Sequence, residues 1–291
     1  MMDNDSTDNR GPSRTAMMAA AGRAAHLIVD RAPHLFQDTV AETLLGERAA
    51  ELISYHREFG DHPVLSGTRS QVSARSHYTE ARLAAGGFEQ YLILGAGLDT
   101  FAYRSPLDAR VAVYEVDHPA TQAWKRELLA TAGIDVSTVE FVGVDFERDD
   151  LAAELTAHGF DANRPALVSW LGVTMYLTES AIGATLDTLS GWAPGTELVM
   201  EYALVPELRD ESGRVFAEFA LAATAEQGEP MLSFFSPESV TALLDRHGFT
   251  VAEHISQHTA VDAALWQRAD GLRPVDFCRL VRAHIPGRTR I

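Results

Sequence analysis

Leu94-Gly95-Ala96-Gly97-Leu98-Asp99-Thr100 follows directly on a short apolar run, Gln90-Tyr-Leu-Ile-Leu94. Glycines at a strand end let backbone approach a ligand more closely than any Cβ would permit. About 20 residues further on, where a ribose-binding acid belongs, Glu115 and Asp117 close a second apolar run, Val111-Ala-Val-Tyr-Glu115. Either carboxylate there can accept both hydroxyls of a ribose. Strand, loop and acid together point to a nucleoside-bearing cofactor lying against Gly95, Ala96 and Gly97. The third glycine of the dinucleotide fingerprint is missing, because position 100 is Thr. That glycine serves close packing around a pyrophosphate, so a cofactor without one is favoured, with S-adenosyl-L-methionine the leading candidate. Asp145-Phe146, after a third apolar run, offers a carboxylate to an adenine amino group and a backbone N–H to a ring nitrogen. Upstream, Arg75 can grip a cofactor carboxylate bidentately.

These residues need a frame. Strands are expected at 90–94, 111–115, 139–142, 166–170 and 197–202, with two more at 250–255 and 277–284. Apolar runs of this length alternating with helical stretches predict β–α units and a mostly parallel sheet covered on both faces. The fold class is therefore α/β, doubly wound and Rossmann-like, with seven strands. Three segments are expected: a disordered tail over 1–14, a helical N-terminal cap over 15–85, and a cofactor-binding core over 86–291. The cap should break at Pro33, Gly46 and the Gly60-Asp61-His62-Pro63 turn. A helical insertion over 205–235 interrupts the core and, with the cap, reads as a lid.

Composition removes other chemistries. The chain has 291 residues and a net charge of −17, which argues against nucleic acid or an anionic membrane as partner. No apolar run approaches the roughly 18 residues of a membrane span, and the polar first residues do not read as a signal peptide. A single cysteine, Cys278, excludes a disulfide framework or a Cys-rich metal site and suggests the cytoplasm. Lys125 is the only lysine, so there is no Walker-type phosphate loop, and its charged surroundings argue against a buried, amine-based nucleophile. His254 and His258 straddle a strand end with no third ligand in view, so no metal is expected.

Tyr91-Leu-Ile-Leu-Gly-Ala-Gly-Leu-Asp-Thr-Phe-Ala-Tyr-Arg104, Val113-Tyr-Glu-Val-Asp-His-Pro119 and Gly172-Val-Thr-Met-Tyr-Leu177 occur in that order. With them the chain resembles the leucine carboxyl methyltransferase-like family, in its bacterial, actinobacterial-type branch. The resemblance runs from about residue 24 to 249 and implies a class I methyltransferase fold with S-adenosyl-L-methionine as methyl donor. It also implies cofactor contacts at Arg75, Gly95, Asp117 and the Asp145-Phe146 pair, and so favours Asp117 over Glu115 for the ribose. Two positions depart from the family pattern. Phe101 stands where members commonly carry Arg, and Leu171 stands where they commonly carry a cofactor-contacting Glu.

The expected reaction is O-methylation of a small molecule, at a carboxylate or a hydroxyl, with a polyketide-type natural product as the first class to try. A carboxylate is ionised at neutral pH and needs no base, whereas an alcohol usually does. No compact acid–base pair stands out, and the catalytic residue is left open; His77, His118 and His158 are candidates by neighbourhood alone. Tyr176 and Trp170 could line an aromatic acceptor pocket, and Arg209 and Arg214 could hold an acceptor carboxylate. Phe216, Phe219, Met231, Phe234 and Phe235 would give the insertion an apolar face. Two other readings use the same pattern: a nicotinamide-dependent oxidoreductase, and a non-catalytic S-adenosylmethionine-binding protein.

Overall fold

A computed structural model describes residues 13–105 and 110–287. One sheet carries seven strands: β1 (Gln90–Leu94), β2 (Ala112–Asp117), β3 (Val139–Gly143), β4 (Leu167–Trp170), β5 (Glu197–Ala203), β6 (Thr250–Ile255) and β7 (Cys278–His284). Their order is β3-β2-β1-β4-β5-β7-β6. The first five pair in parallel, and β7 runs antiparallel to both β5 and β6. Because successive side chains leave a strand on opposite faces, β1 feeds two cores. Leu92 and Leu94 join Trp170, Tyr202 and Leu244 on one face; Tyr91 and Ile93 join Phe101, Val199 and Leu280 on the other. Every residue of β1 and β4 is buried, which is why those strands read as mostly apolar runs without a polar alternation.

Four helices precede the sheet: α1 (Arg14–Val29), α2 (Ala41–Leu44), α3 (Ala49–Glu58) and α4 (Pro63–Gly86). His62 caps α4 from the side chain, Pro63 occupies its first turn, and Gly87 at φ +68° ends it. The breaks fall at the expected places. The crossovers carry α5 (Phe101–Arg104), α6 (Pro119–Thr131), α7 (Leu151–Ala157) and α8 (Glu179–Ser190). Then come α9 (Glu211–Glu226), α10 (Pro237–Arg246) and α11 (Gln257–Ala260). The insertion is largely the single helix α9. Most of the expected tail lies outside the described residues, but Ser13 and Arg14 do not belong to it. Ser13 Oγ accepts from Ala16 N at 3.2 Å and Arg14 opens α1. No helix among the described residues is long and apolar enough to cross a membrane.

Buried charge joins cap to sheet. Asp38 is 2 % exposed and accepts from Arg23 Nε at 2.7 Å, Thr100 Oγ1 at 2.7 Å and the backbone N–H groups of Val40 and Ala41. Burial pushes its pKa up, but the Arg23 and Arg104 guanidinium groups outweigh that and hold it below the ordinary value. Lys125 corrects the sequence reading. Its neighbours in the chain are charged, yet it is 1 % exposed, and its Nζ donates to Glu115 Oε2 at 2.6 Å. The helix turns that one side chain inward because β2 presents a buried carboxylate there.

Burial raises the Glu115 pKa to about 7 despite Lys125. Lys125→Met should therefore destabilise the fold by about 3–5 kcal/mol at pH 8, where a buried carboxylate loses its counter-ion. A folded-state pKa above the unfolded one gives stability that is present at low pH and lost as pH rises through the folded value. The deficit should accordingly shrink at pH 5, where the folded variant takes up a proton at Glu115. Urea unfolding of both proteins at the two pH values measures it.

Candidate active site

The chain leaves β1 for β2 and β3 on one side, then crosses to β4 on the other, so the strand order reverses between β1 and β4. In open α/β sheets ligands bind outside the carboxyl ends of the strands at that point. A cavity of about 940 Å³ lies there, bounded by the loops after β1 to β4, by α1 and α4 from the cap, and by α9.

Its floor is the glycine loop. Gly95 N and Ala96 N both donate to Val116 O, at 2.8 and 3.0 Å, which folds the loop back on β2. Gly97 N then donates to Asp117 Oδ2 at 2.5 Å, and His118 N donates to Oδ1 at 2.7 Å. Gly95 sits at φ +68°, and a Cβ there would lie 2.2 Å from Val173 Cγ2. No other residue fits that position. Asp117 lines the cavity, and burial raises its pKa against the pull of those two N–H groups. Each of its oxygens keeps a lone pair for a further donor. Glu115, the alternative acid, points away and is held by Lys125 and by Tyr103 Oη at 3.1 Å.

Asp145 and Phe146 also line the cavity. Asp145 Oδ1 accepts from Glu147 N at 3.0 Å in an Asx turn, and Phe146 leans on the buried Trp170 at 6.3 Å between ring centroids. Arg75 enters from α4. Its Nη1 donates to Glu201 Oε2 at 2.5 Å, and its guanidinium lies flat against Gly172, whose Cβ would be 2.8 Å from Nη1. Leu171 and Tyr176 complete this wall. Burial raises the Tyr176 pKa well above the usual phenol value.

The structure thus brings Arg75, Gly95, Ala96, Gly97, Asp117, Asp145, Phe146, Leu171 and Tyr176 to one cavity. It does not bring Arg209 or Arg214 there. Arg209 donates from Nε and Nη2 to Leu204 O at 2.9 and 2.8 Å and stacks over Phe234 and Phe277, while Arg214 is exposed and donates to Arg209 O. Both brace the insertion. Trp170 is core, fully buried. Of the histidines only His118 reaches the cavity; His158 Nδ1 lies 2.8 Å from Glu154 O, and His77 interacts with the Leu35 backbone. His254 is spent on Tyr202 and Thr241, and no group of three or more potential metal ligands occurs among the described residues. Phe216 and Met231 line the cavity as an apolar insertion face requires, but Phe219 points outward.

Three residues in or behind the cavity had no site role in the sequence reading: Glu201, Gln71 and Cys278. Glu201 is 1 % exposed on β5, and its Oε1 accepts from Gln71 Nε2 at 3.0 Å. A lone acid in the apolar run Leu198-Val-Met-Glu-Tyr202, with Gln71 and Arg75 four apart on one helix face, was the available signal.

Comparison with known proteins gives the family. The leucine carboxyl methyltransferase family profile matches residues 16–190. The chain belongs to that family. A Bacillus subtilis (strain 168) protein named "Putative S-adenosyl-L-methionine-dependent methyltransferase YktD" is 31 % identical over 299 residues, covering 93 % of this chain and 97 % of its own. A similarly named protein of Mycobacterium sp. (strain KMS) is 36 % identical over 237 residues, 74 % of this chain and 77 % of its own. The crystal structure of a DUF574-family protein from Streptomyces avermitilis superposes with a TM-score of 0.57 at 16 % identity, covering 92 % of this chain and 97 % of that one, and shares the fold. As a member of the leucine carboxyl methyltransferase family, the chain is an S-adenosyl-L-methionine-dependent methyltransferase with the class I fold. Family membership sets aside the oxidoreductase and the non-catalytic binding protein.

The Gly95 backbone gives a test. Gly95→Ala should cost about 1–3 kcal/mol for a side chain held at positive φ, plus the displacement of Val173. Adding Val173→Ala should recover the steric part alone, so the double variant is more stable than the sum of the singles predicts. Additive losses in urea unfolding would mean that Val173 does not press on the loop.

Proposed function

We propose that the chain transfers a methyl group from S-adenosyl-L-methionine to an oxygen of a small-molecule acceptor, a carboxylate or a hydroxyl, of the kind found in polyketide-type natural products. The continuity of the cavity carries this reading. Its 940 Å³ run from the strand-end loops to an apolar lobe between α4, α9 and the start of β7, walled by Met175, Phe216, Met231 and Phe277. Ligand pockets commonly measure about 300–1,000 Å³, so a nucleoside and an apolar second molecule fit one continuous cleft.

In this reading Gly95, Ala96 and Gly97 admit the cofactor's close approach. Asp117 receives the ribose hydroxyls, and Asp145 with the Phe146 backbone and ring holds adenine. Arg75 grips the amino-acid carboxylate with the Nη2 that Glu201 leaves unbonded, and Leu171 supplies an apolar contact beside it. Asp99, Asp117, Asp145 and Glu147 all line the strand-end side, which favours a cationic ligand there. When bound, the cofactor supplies a methyl already activated by a positive sulfur. The protein's part is to hold the acceptor oxygen in line and exclude water. Two elements serve as lids, the 15–85 cap and the 205–235 insertion. They meet across the mouth where Thr15 N donates to Glu229 Oε2 at 3.0 Å.

Thermal unfolding with S-adenosylmethionine, S-adenosylhomocysteine, NAD and NADP tests the cofactor assignment. A ligand at about 100 times its Kd adds about 2.7 kcal/mol, and only the first two should give that stabilisation. Asp117→Ala and Asp145→Ala should each weaken it by about tenfold or more, the loss of a charge-assisted hydrogen bond. Unchanged affinity in both variants would overturn the residue assignment. Tritiated methyl transferred to an organic-extractable acceptor, with none left on protein, is the expected product.

A further inference from the structure

In the acceptor lobe, Thr68 and Gln71 line the cavity from α4, Phe216 from α9, Met175 and Tyr176 from the loop after β4, and Phe277 and Cys278 from the entry to β7. None of these is a cation. Three arginines line other parts of the cavity, Arg14 and Arg23 from α1 and Arg75 from α4, one helical turn from Gln71; Arg23 is held by Asp38, and Arg75 Nη1 by Glu201 at 2.5 Å. Gln71 is 8 % exposed, and its orientation is not free. An ionised carboxylate only accepts, so the Gln71 amide must turn its Nε2 toward Glu201 Oε1, 3.0 Å away. The Gln71 Oε1 is then the atom turned from Glu201, and no N–H or O–H of the described residues is bonded to it.

We propose that Gln71 is a specificity residue that presents a fixed hydrogen-bond acceptor to the lobe, and that the methyl acceptor is therefore an uncharged, hydroxyl-bearing apolar molecule and not a carboxylate. Glu201 is the positioning residue that sets the amide. A hydroxyl donates to Gln71 Oε1 and keeps a lone pair for the methyl. A carboxylate has nothing to donate, meets that oxygen as a repulsion, and lies against the apolar side chains of Met175, Phe216 and Phe277. Tyr176 Oη, kept protonated by burial, can donate to a lone pair of the same hydroxyl oxygen. This inference rests on the cofactor placement above, which assigns Arg75 to the cofactor carboxylate.

The test is a binding comparison on the full chain saturated with S-adenosylhomocysteine. Matched pairs on the same skeletons serve as probes: 2-naphthol against 2-naphthoate, 2-anthracenol against 2-anthracenecarboxylate, decanol against decanoate. Within each pair the hydroxyl compound should bind about tenfold or more tightly, the discrimination a buried acceptor group imposes. Gln71→Leu, of similar size, should bring that ratio to within about threefold by weakening the hydroxyl member. Glu201→Gln keeps Gln71 but lets its amide turn over, and should narrow the ratio in the same direction. A role confined to packing would leave the ratio unmoved. Equal or tighter binding of the carboxylates, a ratio unchanged in both variants, or no probe bound at all overturns the proposal. Failure to bind S-adenosylhomocysteine in the first step would instead overturn the cofactor placement.

Discussion

A carboxylate in the middle of a buried strand costs several kcal/mol unless both oxygens are bonded and a counter-charge is near. Glu201 imposes that condition on the whole site. Its two oxygens are met by Gln71 and Arg75, which lie one turn apart on α4, so the helix can cross the sheet in only one register. The backbone joins in, since Thr174 Oγ1 donates to Glu201 O at 2.5 Å and anchors the loop that carries Tyr176. One residue thus positions a cap helix and two cavity side chains through its carboxylate, and a strand-end loop through its backbone.

The same logic recurs at Asp38, where Arg23 from α1 and Thr100 from the glycine-loop segment share one carboxylate. Arg23 also donates to Leu98 O at 2.6 Å. The strand-end loop is therefore held from below by β2 and from the side by the cap. Its shape is set before a ligand arrives, which reduces what binding must spend on ordering. The N-terminal helices are consequently part of the site and more than a cover for it.

Local patterns announce themselves in a sequence, and long-range ones do not. Glycine loop, acid-tipped strand and apolar runs are contiguous, so Gly95, Gly97, Asp117 and all seven strands were legible, with ends displaced by two residues at most. Glu115 and Asp117 lie two apart on one strand and share a face, so their pattern alone does not say which meets a ligand; the depth of Lys125 decides it. Lys125 itself was misread because its sequence neighbours are charged, whereas its burial depends on a strand that precedes it by ten residues. Arg209 was misread for the opposite reason. An arginine in an aromatic insertion looks available for a substrate, yet the nearby carbonyl of Leu204 and two aromatic faces satisfy it internally. Glu201 and Gln71 are 130 residues apart, and only the folded chain makes them a pair.

The departure at position 171 has a physical counterpart in that pair. The resemblance leads to a glutamate where Leu171 stands, at the end of β4. The β4–β5 register pairs Trp170 with Met200, so Leu171 falls level with Glu201 on the adjacent strand. A glutamate at 171 would set two carboxylates side by side with one guanidinium to serve both, and like charges at that spacing disfavour each other's ionised form. With leucine there, Glu201 has Arg75 to itself. The guanidinium answers one protein carboxylate through Nη1 and keeps Nη2 for another partner. A single aliphatic residue thereby lets one arginine both lock the helix to the sheet and face the cavity.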